Sequence, residues 1–234
     1  MSFGIAEQSA QPGQHTFPSS STISLRHGPA SDVRLALVLK RGIDVAISSV
    51  LLLGLAPLLA VTALAIKLTS AGPVFFRQRR YGLNNEQFTI LKFRTMFAHD
   101  ADMSGVTQTR TGDPRITPLG RFLRRTNIDE LPQLINVLQG DMSLVGPRPH
   151  VPGMRAGGMI YEALVPSYFE RHRVRPGLTG LAQINELRGS TTDAKFARAR
   201  IAYDLAYVEH WSLLLDLRIL WTTLKTEVLR GTGN

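Results

Sequence analysis

The chain contains an uncharged apolar segment, Val45–Ile66, which limits the folds open to it. As a helix, its 22 residues would reach about 33 Å, at about 1.5 Å per residue, and a membrane hydrocarbon core is about 30 Å thick. A core helix of this length in a soluble protein normally carries polar residues along one face. The segment therefore predicts a helix that inserts into a membrane.

The path of this helix within the membrane is less constrained. Pro57 lies near the middle of the segment and has no N–H group, so it predicts a kink. A simple span carries lysine and arginine mainly at its cytoplasmic end. Here basic residues flank both ends: Lys40, Arg41, Lys67, Arg77, Arg79 and Arg80. The residues alone leave open a straight span and a re-entrant helix that bends at Pro57 and returns to the same face.

Composition divides the chain into four parts. Residues 1–38 are rich in Ser, Gln, Pro and Gly, and we expect a disordered tail, because such a segment buries too little apolar surface to order. The membrane helix occupies 39–70 and a small domain occupies 71–192. Amphipathic helices, one side of which could lie at a membrane interface or in a dimer, occupy 193–234. The fold class expected is α/β, mainly helical.

Within the small domain, residues 72–76 and 87–91 predict two strands, with Gly82 and Asn84-Asn85 as turn residues. Residues 98–114 predict a polar loop, and residues 116–126 predict a short amphipathic helix.

A second helix is predicted to begin with Asp129 as its N-cap and to end at Gln139, with Gly140 as its C-terminal stop. Residues 143–152 predict a rigid extended loop. In the C-terminal part, Ser212 is expected to break the helix and cap the next one. An apolar stripe follows this break, and either core packing or a membrane surface would explain it: Trp211, Leu214, Leu217, Leu220, Trp221, Leu224 and Val228.

The acidic pair Asp129-Glu130 is the main candidate for chemistry. A carboxylate at a helix N-terminus is stabilised as an anion, and carboxylates can bind Mg²⁺ or attack phosphorus. Capping alone would also explain an isolated Asp-Glu pair. Arginines on both sides of this pair favour a site for a phosphate and a metal ion together.

Several basic residues lie in segments whose backbone is fixed by proline, glycine or a strand. They are Arg94, Arg125, Arg148 and Arg175, and Lys92 alternates with Arg94 on one predicted face of a strand. Several convergent guanidinium groups would match the oxygens of a diphosphate. Arg121 and Arg124 are better explained as the solvated face of an amphipathic helix.

The net charge of +9 indicates an anionic partner. No aromatic residues interleave with the lysines, as single-strand nucleic-acid platforms require, so nucleic acid is disfavoured. The chain lacks the glycine-rich motifs of P-loop and Rossmann nucleotide sites. Cysteine is absent, which excludes disulfides and thiolate metal sites.

Five segments resemble the monotopic phosphoglycosyl transferases, a family of bacterial sugar transferases. The segments are Lys40-Arg41-Gly42-Ile43-Asp44, Lys92-Phe93-Arg94-Thr95-Met96, Asp129-Glu130-Leu131-Pro132-Gln133-Leu134, the run from Asn136 to Pro149, and Arg175-Pro176-Gly177-Leu178-Thr179-Gly180-Leu181. The resemblance covers the chain from about residue 38 to 230.

The resemblance implies an activity. Such enzymes transfer a sugar-1-phosphate from a UDP-sugar to polyprenyl (undecaprenyl) phosphate at the inner, cytoplasmic membrane of bacteria, with the catalytic domain in the cytoplasm. They release UMP, require Mg²⁺ and initiate exopolysaccharide or glycoconjugate synthesis. The family's membrane helix is re-entrant, which favours the bend at Pro57, although the family often has Ser-Pro where this chain has Ala56-Pro57.

The resemblance also implies residue roles. Asp129 would be the nucleophile that carries a covalent phosphosugar, and Glu130 would bind the metal. The phosphate-binding residues would be Lys92, Arg94, Arg125, Arg148 and Arg175. Two alternatives remain at this point: a non-catalytic basic membrane adaptor and a metal-dependent phosphohydrolase. The sequence does not identify the sugar.

Overall fold

The computed structural model describes residues 30–98, 109, 112–189 and 193–230. These residues form a mainly helical fold with three small two-stranded sheets, which agrees with the expected class. The helices are α1 (Ala30–Gly54), α2 (Ala56–Thr69), α3 (Pro118–Arg125), α4 (Gln133–Gln139), α5 (Tyr161–Leu164), α6 (Leu181–Ile184), α7 (Ala194–Glu209) and α8 (Leu213–Arg230). The strands are β1 (Phe75–Tyr81), β2 (Gln87–Phe93), β3 (Ser143–Val145), β4 (Arg155–Ala156), β5 (Met159–Ile160) and β6 (Gly177–Thr179).

The apolar segment forms two helices that meet at Leu55 with a bend of 62°. Pro57 lies in the first turn of α2, where its missing N–H leaves no helical hydrogen bond unmade. The break therefore falls two residues before the proline on which the predicted kink was placed. Among the described residues no single helix has the length and apolar character of a membrane span. The bent pair meets that test together, by length and composition alone.

Helix α1 also corrects the predicted tail. It begins at Ala30, so residues 30–38 are helical rather than disordered. Residues 1–29 and most of the predicted loop at 98–114 lie outside the described residues.

Polar side chains near the middle of α1 attach it to the rest of the protein. Arg41 donates to the carbonyl oxygens of Val137 and Leu138, in the last turn of α4, at 2.5 and 2.8 Å. The Val137 carbonyl also accepts from the N–H of Gly140. The buried carboxylate of Asp44 accepts from the backbone N–H of Leu144 at 3.0 Å. Helix α1 is thus bonded to both α4 and β3.

Lys40 extends this attachment to the C-terminal helices. Its Nζ donates to Asp216 at 2.6 Å and to the carbonyl of Val145 at 3.1 Å. The same Asp216 accepts from the Tyr207 hydroxyl at 2.7 Å and from the Trp211 indole N–H at 3.1 Å. Helices α1, α7 and α8 therefore share one buried polar network at the end of β3.

Strands β1 and β2 form an antiparallel hairpin, with Phe75 opposite Phe93 and Tyr81 opposite Gln87. Asn84 and Asn85 adopt positive φ angles in its turn, as their residue types predicted. Strand β3 pairs with β6 in parallel, so the first three residues of the loop predicted at 143–152 are a strand.

The C-terminal helices separate near the predicted position, and the Ser212 hydroxyl accepts from a backbone N–H of the first turn of α8. The apolar stripe divides between two environments over residues 211–224, and the side chain of Val228 lies outside the described part. Trp211 and Leu220 pack against the main core, whereas the opposite side is exposed. The exposed residues are Leu214, Leu217, Trp221 and Leu224.

Candidate active site

The acidic pair lies in a short 3₁₀ turn, Ile128–Glu130, between α3 and α4. Asn127 precedes this turn in the left-handed conformation, with φ of 56°, and its carbonyl accepts from the N–H of Glu130. Helix α4 begins only at Gln133, after Pro132. The prediction that Asp129 caps α4 is therefore wrong, because the left-handed residue starts a separate turn. The end of α4 at Gly140, with φ of 90°, is confirmed.

Glu130 forms the centre of an ion-pair cluster. Lys92 Nζ lies 2.6 Å from its Oε1, and Arg148 Nη2 and Nη1 donate to Oε1 and Oε2 at 2.5 and 3.2 Å. Burial disfavours the charge of this carboxylate, but Arg148 and Lys92 hold the pKa of Glu130 well below its ordinary value. Glu130 is therefore an anion at any physiological pH.

Asp129 lies in a different electrostatic environment. It is 8% exposed, and burial raises its pKa to about 6. Lys92, Arg124 and Arg148 oppose that rise, and the neighbouring Glu130 adds to it. The sequence predicted a fully stabilised anion at a helix end. The structure instead gives a carboxylate that is ionised at neutral pH but poorly solvated, which favours nucleophilic attack.

Two contacts bring the strand residue Lys92 to this turn. The buried side chain of Asn136, on α4, accepts from the N–H of Leu91 at 2.9 Å and donates to the carbonyl of Thr89 at 2.8 Å. Strand β2 is thereby fixed against the helix that follows the acidic pair.

Of the predicted phosphate-binding residues, Lys92 and Arg148 meet at Glu130, and the other three bond or lie elsewhere. Arg94 is buried and donates to the carbonyls of Ala71 and Ser70 at 2.8 and 2.7 Å, which attaches the end of α2 to the hairpin. Arg125 is exposed at the C-terminus of α3. Arg175 is exposed and donates to the carbonyl of Gly140 at 2.7 Å.

Two arginines near the site were not predicted. Arg124, assigned from sequence to a solvated helix face, is partly buried, donates to the Thr95 hydroxyl at 2.8 Å and acts electrostatically on Asp129. Arg80 donates to the carbonyl of Pro149 at 3.2 Å, and burial, with repulsion from Arg148, lowers its pKa to about 10. The alternation of side chains along the two strands could have predicted Arg80, because the observed register puts Arg80 on the same face of the hairpin as Lys92.

The donor set fits a hard divalent cation that also binds substrate. Mg²⁺ typically takes one or two protein carboxylates together with substrate phosphate oxygens, and Asp129 and Glu130 are adjacent carboxylates. Arg148 and Lys92 together make three bonds to Glu130, out of about four lone-pair positions on a carboxylate. Among the described residues no group of three or more histidine, aspartate or glutamate side chains is arranged to hold a metal ion.

Known proteins resemble this chain over most of its length. A family model for bacterial sugar transferases matches residues 35–230. An exopolysaccharide production protein of Rhizobium leguminosarum bv. phaseoli is 56% identical over 197 residues, covering 84% of this chain and 98% of the relative. A UDP-glucose:undecaprenyl-phosphate glucose-1-phosphate transferase of Caulobacter vibrioides is 50% identical over 208 residues, covering 88% and 76%.

Other relatives are longer than this chain. A UDP-glucose:undecaprenyl-phosphate glucose-1-phosphate transferase of Xanthomonas campestris pv. campestris is 44% identical over 221 residues, which is 94% of this chain but 44% of the relative. The motif resemblance, the family match and the extent of these alignments agree, and the chain belongs to the bacterial sugar transferase family.

Proposed function

We propose that the protein transfers glucose-1-phosphate from UDP-glucose to undecaprenyl phosphate, through a covalent intermediate on Asp129, and releases UMP. One observation supports the mechanism most directly: the buried carboxylate of Asp129 has a raised pKa and lies next to the ion-pair cluster of Glu130. The names of the Caulobacter and Xanthomonas relatives support the donor and the acceptor. The rhizobial relative supports a role in exopolysaccharide production.

In the first step a carboxylate oxygen of Asp129 attacks the phosphorus that carries the sugar. The new bond joins that oxygen to phosphorus, and the anhydride bond to the uridine phosphate breaks, so UMP leaves with the bonding electrons. Burial removes water from Asp129, so less solvation is lost when the carboxylate reacts.

In the second step a phosphate oxygen of undecaprenyl phosphate attacks the same phosphorus. Asp129 leaves as a carboxylate, and the product is an undecaprenyl diphosphate sugar. No proton is required if the acceptor attacks as its dianion. A two-step route lets one site use a soluble donor first and a lipid acceptor second.

The surrounding cations explain how the site would accept several phosphates. Four basic side chains interact electrostatically with the two carboxylates: Arg80, Lys92, Arg124 and Arg148. Because four positive groups face two negative ones, positive charge remains to bind an incoming diphosphate. Arg148 can present a planar fork to phosphate oxygens as it does to Glu130. Lys92 offers a point charge.

Glu130 would hold Mg²⁺ at the site, while Asp129 supplies the attacking carboxylate. When bound, the ion neutralises charge on the diphosphate and on the departing UMP. Two cations, Lys92 and Arg148, hold the Glu130 carboxylate in place.

We further propose that the bent pair of α1 and α2 is re-entrant in the inner membrane, with the catalytic domain on the cytoplasmic face. Exposed apolar side chains on both helices support membrane burial, among them Val50, Leu53, Val61 and Leu68. The chain has no cysteine, so single cysteines at Arg34 and Glu86 would be unique labels on exposed positions. Labelling of both from the cytoplasm is expected, and labelling from opposite sides would contradict the re-entrant path.

The catalytic proposal is tested with Asp129→Asn and the control Glu86→Gln, whose side chain is exposed in the hairpin turn. With UDP-glucose, Mg²⁺ and undecaprenyl phosphate, we expect UMP release from the wild type and the control and none from Asp129→Asn. With UDP-glucose and Mg²⁺ but no undecaprenyl phosphate, intact mass spectrometry should detect a phosphosugar adduct that Asp129→Asn lacks. Full activity in Asp129→Asn would exclude the nucleophile.

The same assay separates the transferase from the other two activities. A phosphohydrolase would release sugar phosphate into solution without undecaprenyl phosphate, whereas the transferase needs the lipid for turnover. A non-catalytic adaptor would release no UMP from any UDP-sugar. A panel of UDP-sugars would identify the donor, and preference for a sugar other than glucose would correct that part of the proposal.

A further inference from the structure

The segment that contains Arg148 is held in place by hydrogen bonds to its backbone. The carbonyl oxygens of residues 148, 149 and 150 each accept a tertiary hydrogen bond. The donors are Arg171 Nη2 at 2.6 Å, Arg80 Nη1 at 3.2 Å and the backbone N–H of Tyr81 at 3.0 Å. On the N-terminal side, the N–H of Gly146 donates to Thr179 at 2.9 Å. The polypeptide around Arg148 therefore has little freedom to move.

Arg171 is the unusual donor among these, because it is a charged side chain that is 1% exposed. Its Nε and Nη2 donate to a single carboxylate oxygen of Asp204, on α7, at 3.0 and 2.6 Å. Its Nη2 also donates to the carbonyl of Arg148. Its Nη1 lies 3.3 Å from Nε2 of His172.

The His172 contact has a defined direction. Arginine has no acceptor, so Nε2 of His172 must accept and Nδ1 must carry the proton, which it donates to Asn85 at 2.6 Å. Burial, with the charge of Arg171, lowers the pKa of His172 to about 3, so the ring is neutral. Every terminal nitrogen of Arg171 is thus engaged within the protein, and Arg171 is not available to a substrate.

A buried ion pair is a poor source of stability, because removing two charges from water offsets most of their attraction. Its more general effect is to fix geometry. Here the pair joins α7 to the carbonyl of the residue whose guanidinium holds Glu130.

We propose that Arg171 and Asp204 form a positioning pair that holds the backbone of Arg148, and through it the Arg148 guanidinium, in place for the donor diphosphate. The catalytic consequence rests on the proposed function. The pair does not touch substrate and acts only through Arg148. Helix α7 thereby contributes to the site without supplying a reacting group.

The first test compares Asp204→Asn with Glu170→Gln. Asparagine keeps an acceptor oxygen at nearly the same place and removes the charge. Glu170 is the matched control, because its ion pair with Arg173 lies in the same 3₁₀ segment as Arg171, Tyr168–Arg173, but is exposed and loose, at 3.7 Å. We expect kcat for UMP release to fall by about tenfold or more in Asp204→Asn, as a small misplacement of a catalytic group can cost this much, and to stay unchanged in Glu170→Gln.

A double-mutant cycle separates positioning from general destabilisation. In an Arg148→Lys background, Asp204→Asn should lower kcat by less than about twofold, because the group being positioned is already altered. Equal fold-losses in both backgrounds would overturn the proposal. If Asp204→Asn does not fold, Arg171→Lys replaces it, since lysine can keep the ion pair but cannot also reach the Arg148 carbonyl in the same geometry.

A measurement that does not use activity distinguishes this inference from the proposed reaction. Amide hydrogen exchange of the peptide spanning 144–152 should speed up in Asp204→Asn and not in Glu170→Gln. Unchanged exchange would overturn the positioning pair even if the wild type is active. Faster exchange would support the pair even if the wild type releases no UMP from any UDP-sugar, a result that would refute only the proposed reaction.

Discussion

Replacing Asp129 with asparagine should stabilise the protein while abolishing turnover. The pKa of Asp129 rises from an ordinary value of 3.8 to about 6, mainly through burial. The native state therefore binds this proton more tightly than the unfolded state does. Stability must fall as pH rises from about 4 to about 6, and the loss persists at higher pH.

The size of the effect follows from the same pKa values. A change from 3.8 to about 6 corresponds to about 3 kcal/mol at 1.36 kcal/mol per tenfold change in proton affinity. Asparagine carries no charge and avoids this cost. For a domain of this size the gain in unfolding midpoint would be roughly 6–12 °C.

Thermal unfolding in detergent, with chelator present, measures this directly. At pH 8 Asp129→Asn should unfold at a higher temperature than the wild type, and the difference should vanish near pH 4. Glu130→Gln should change the stability in the opposite direction. Arg148 and Lys92 lower the pKa of Glu130, so its charge stabilises the fold above about pH 4.5. The Glu130→Gln variant should therefore be less stable than the wild type at pH 8. A destabilised Asp129→Asn at pH 8, or a difference that does not change with pH, would refute the electrostatic argument.

Three further predictions concern the same structure. The rate of UMP release should decline about tenfold per pH unit below about 6 as Asp129 is protonated, and a rate that is constant down to pH 4.5 would contradict an ionised nucleophile with that pKa. Asn136→Ala should cost about 2–4 kcal/mol, because two backbone groups of β2 lose a buried partner, and an unchanged unfolding midpoint would show that water replaces the side chain. Gly177→Ala should prevent folding, since a Cβ there would lie 2.1 Å from the backbone nitrogen of Gly146. The control Gly42→Ala, in α1 with no atom within 4 Å of the added carbon, should be neutral or stabilising by up to about 1 kcal/mol; normal expression of Gly177→Ala would contradict the close contact.

The sequence was sufficient for the features that depend on local chemistry. The asparagine turn of the hairpin, the stop at Gly140 and the cap at Ser212 follow from residue type and spacing, and the structure contains all three. The family followed from long motifs, which the comparisons confirm. The acidic pair was found by its setting among arginines.

The errors came from features set by tertiary packing. Asp129 had the residue type of a cap, but the left-handed Asn127 starts a separate turn in front of α4. The sequence pattern does not distinguish Arg124 from Arg125, because both are polar residues on one amphipathic helix. The packing of α3 against Thr95 is what brings Arg124, rather than Arg125, towards the acidic pair. Arg94 was predicted to share a strand face with Lys92 and to bind phosphate, and the pattern gave no sign that its guanidinium donates to the end of α2.

The attachment of α1 makes the bent helix pair inseparable from the enzyme. A fragment cut free at residue 70 would lose Lys40, Arg41 and Asp44 together. Asp216 would remain as a buried carboxylate with no cation, the Val137 and Leu138 carbonyls would lose the Arg41 guanidinium, and the N–H of Leu144 would lose its acceptor. Each loss costs about 1–3 kcal/mol, more for the charge, so a soluble catalytic fragment is not a workable reagent. Structural work and inhibitor screening will need a protein that retains α1.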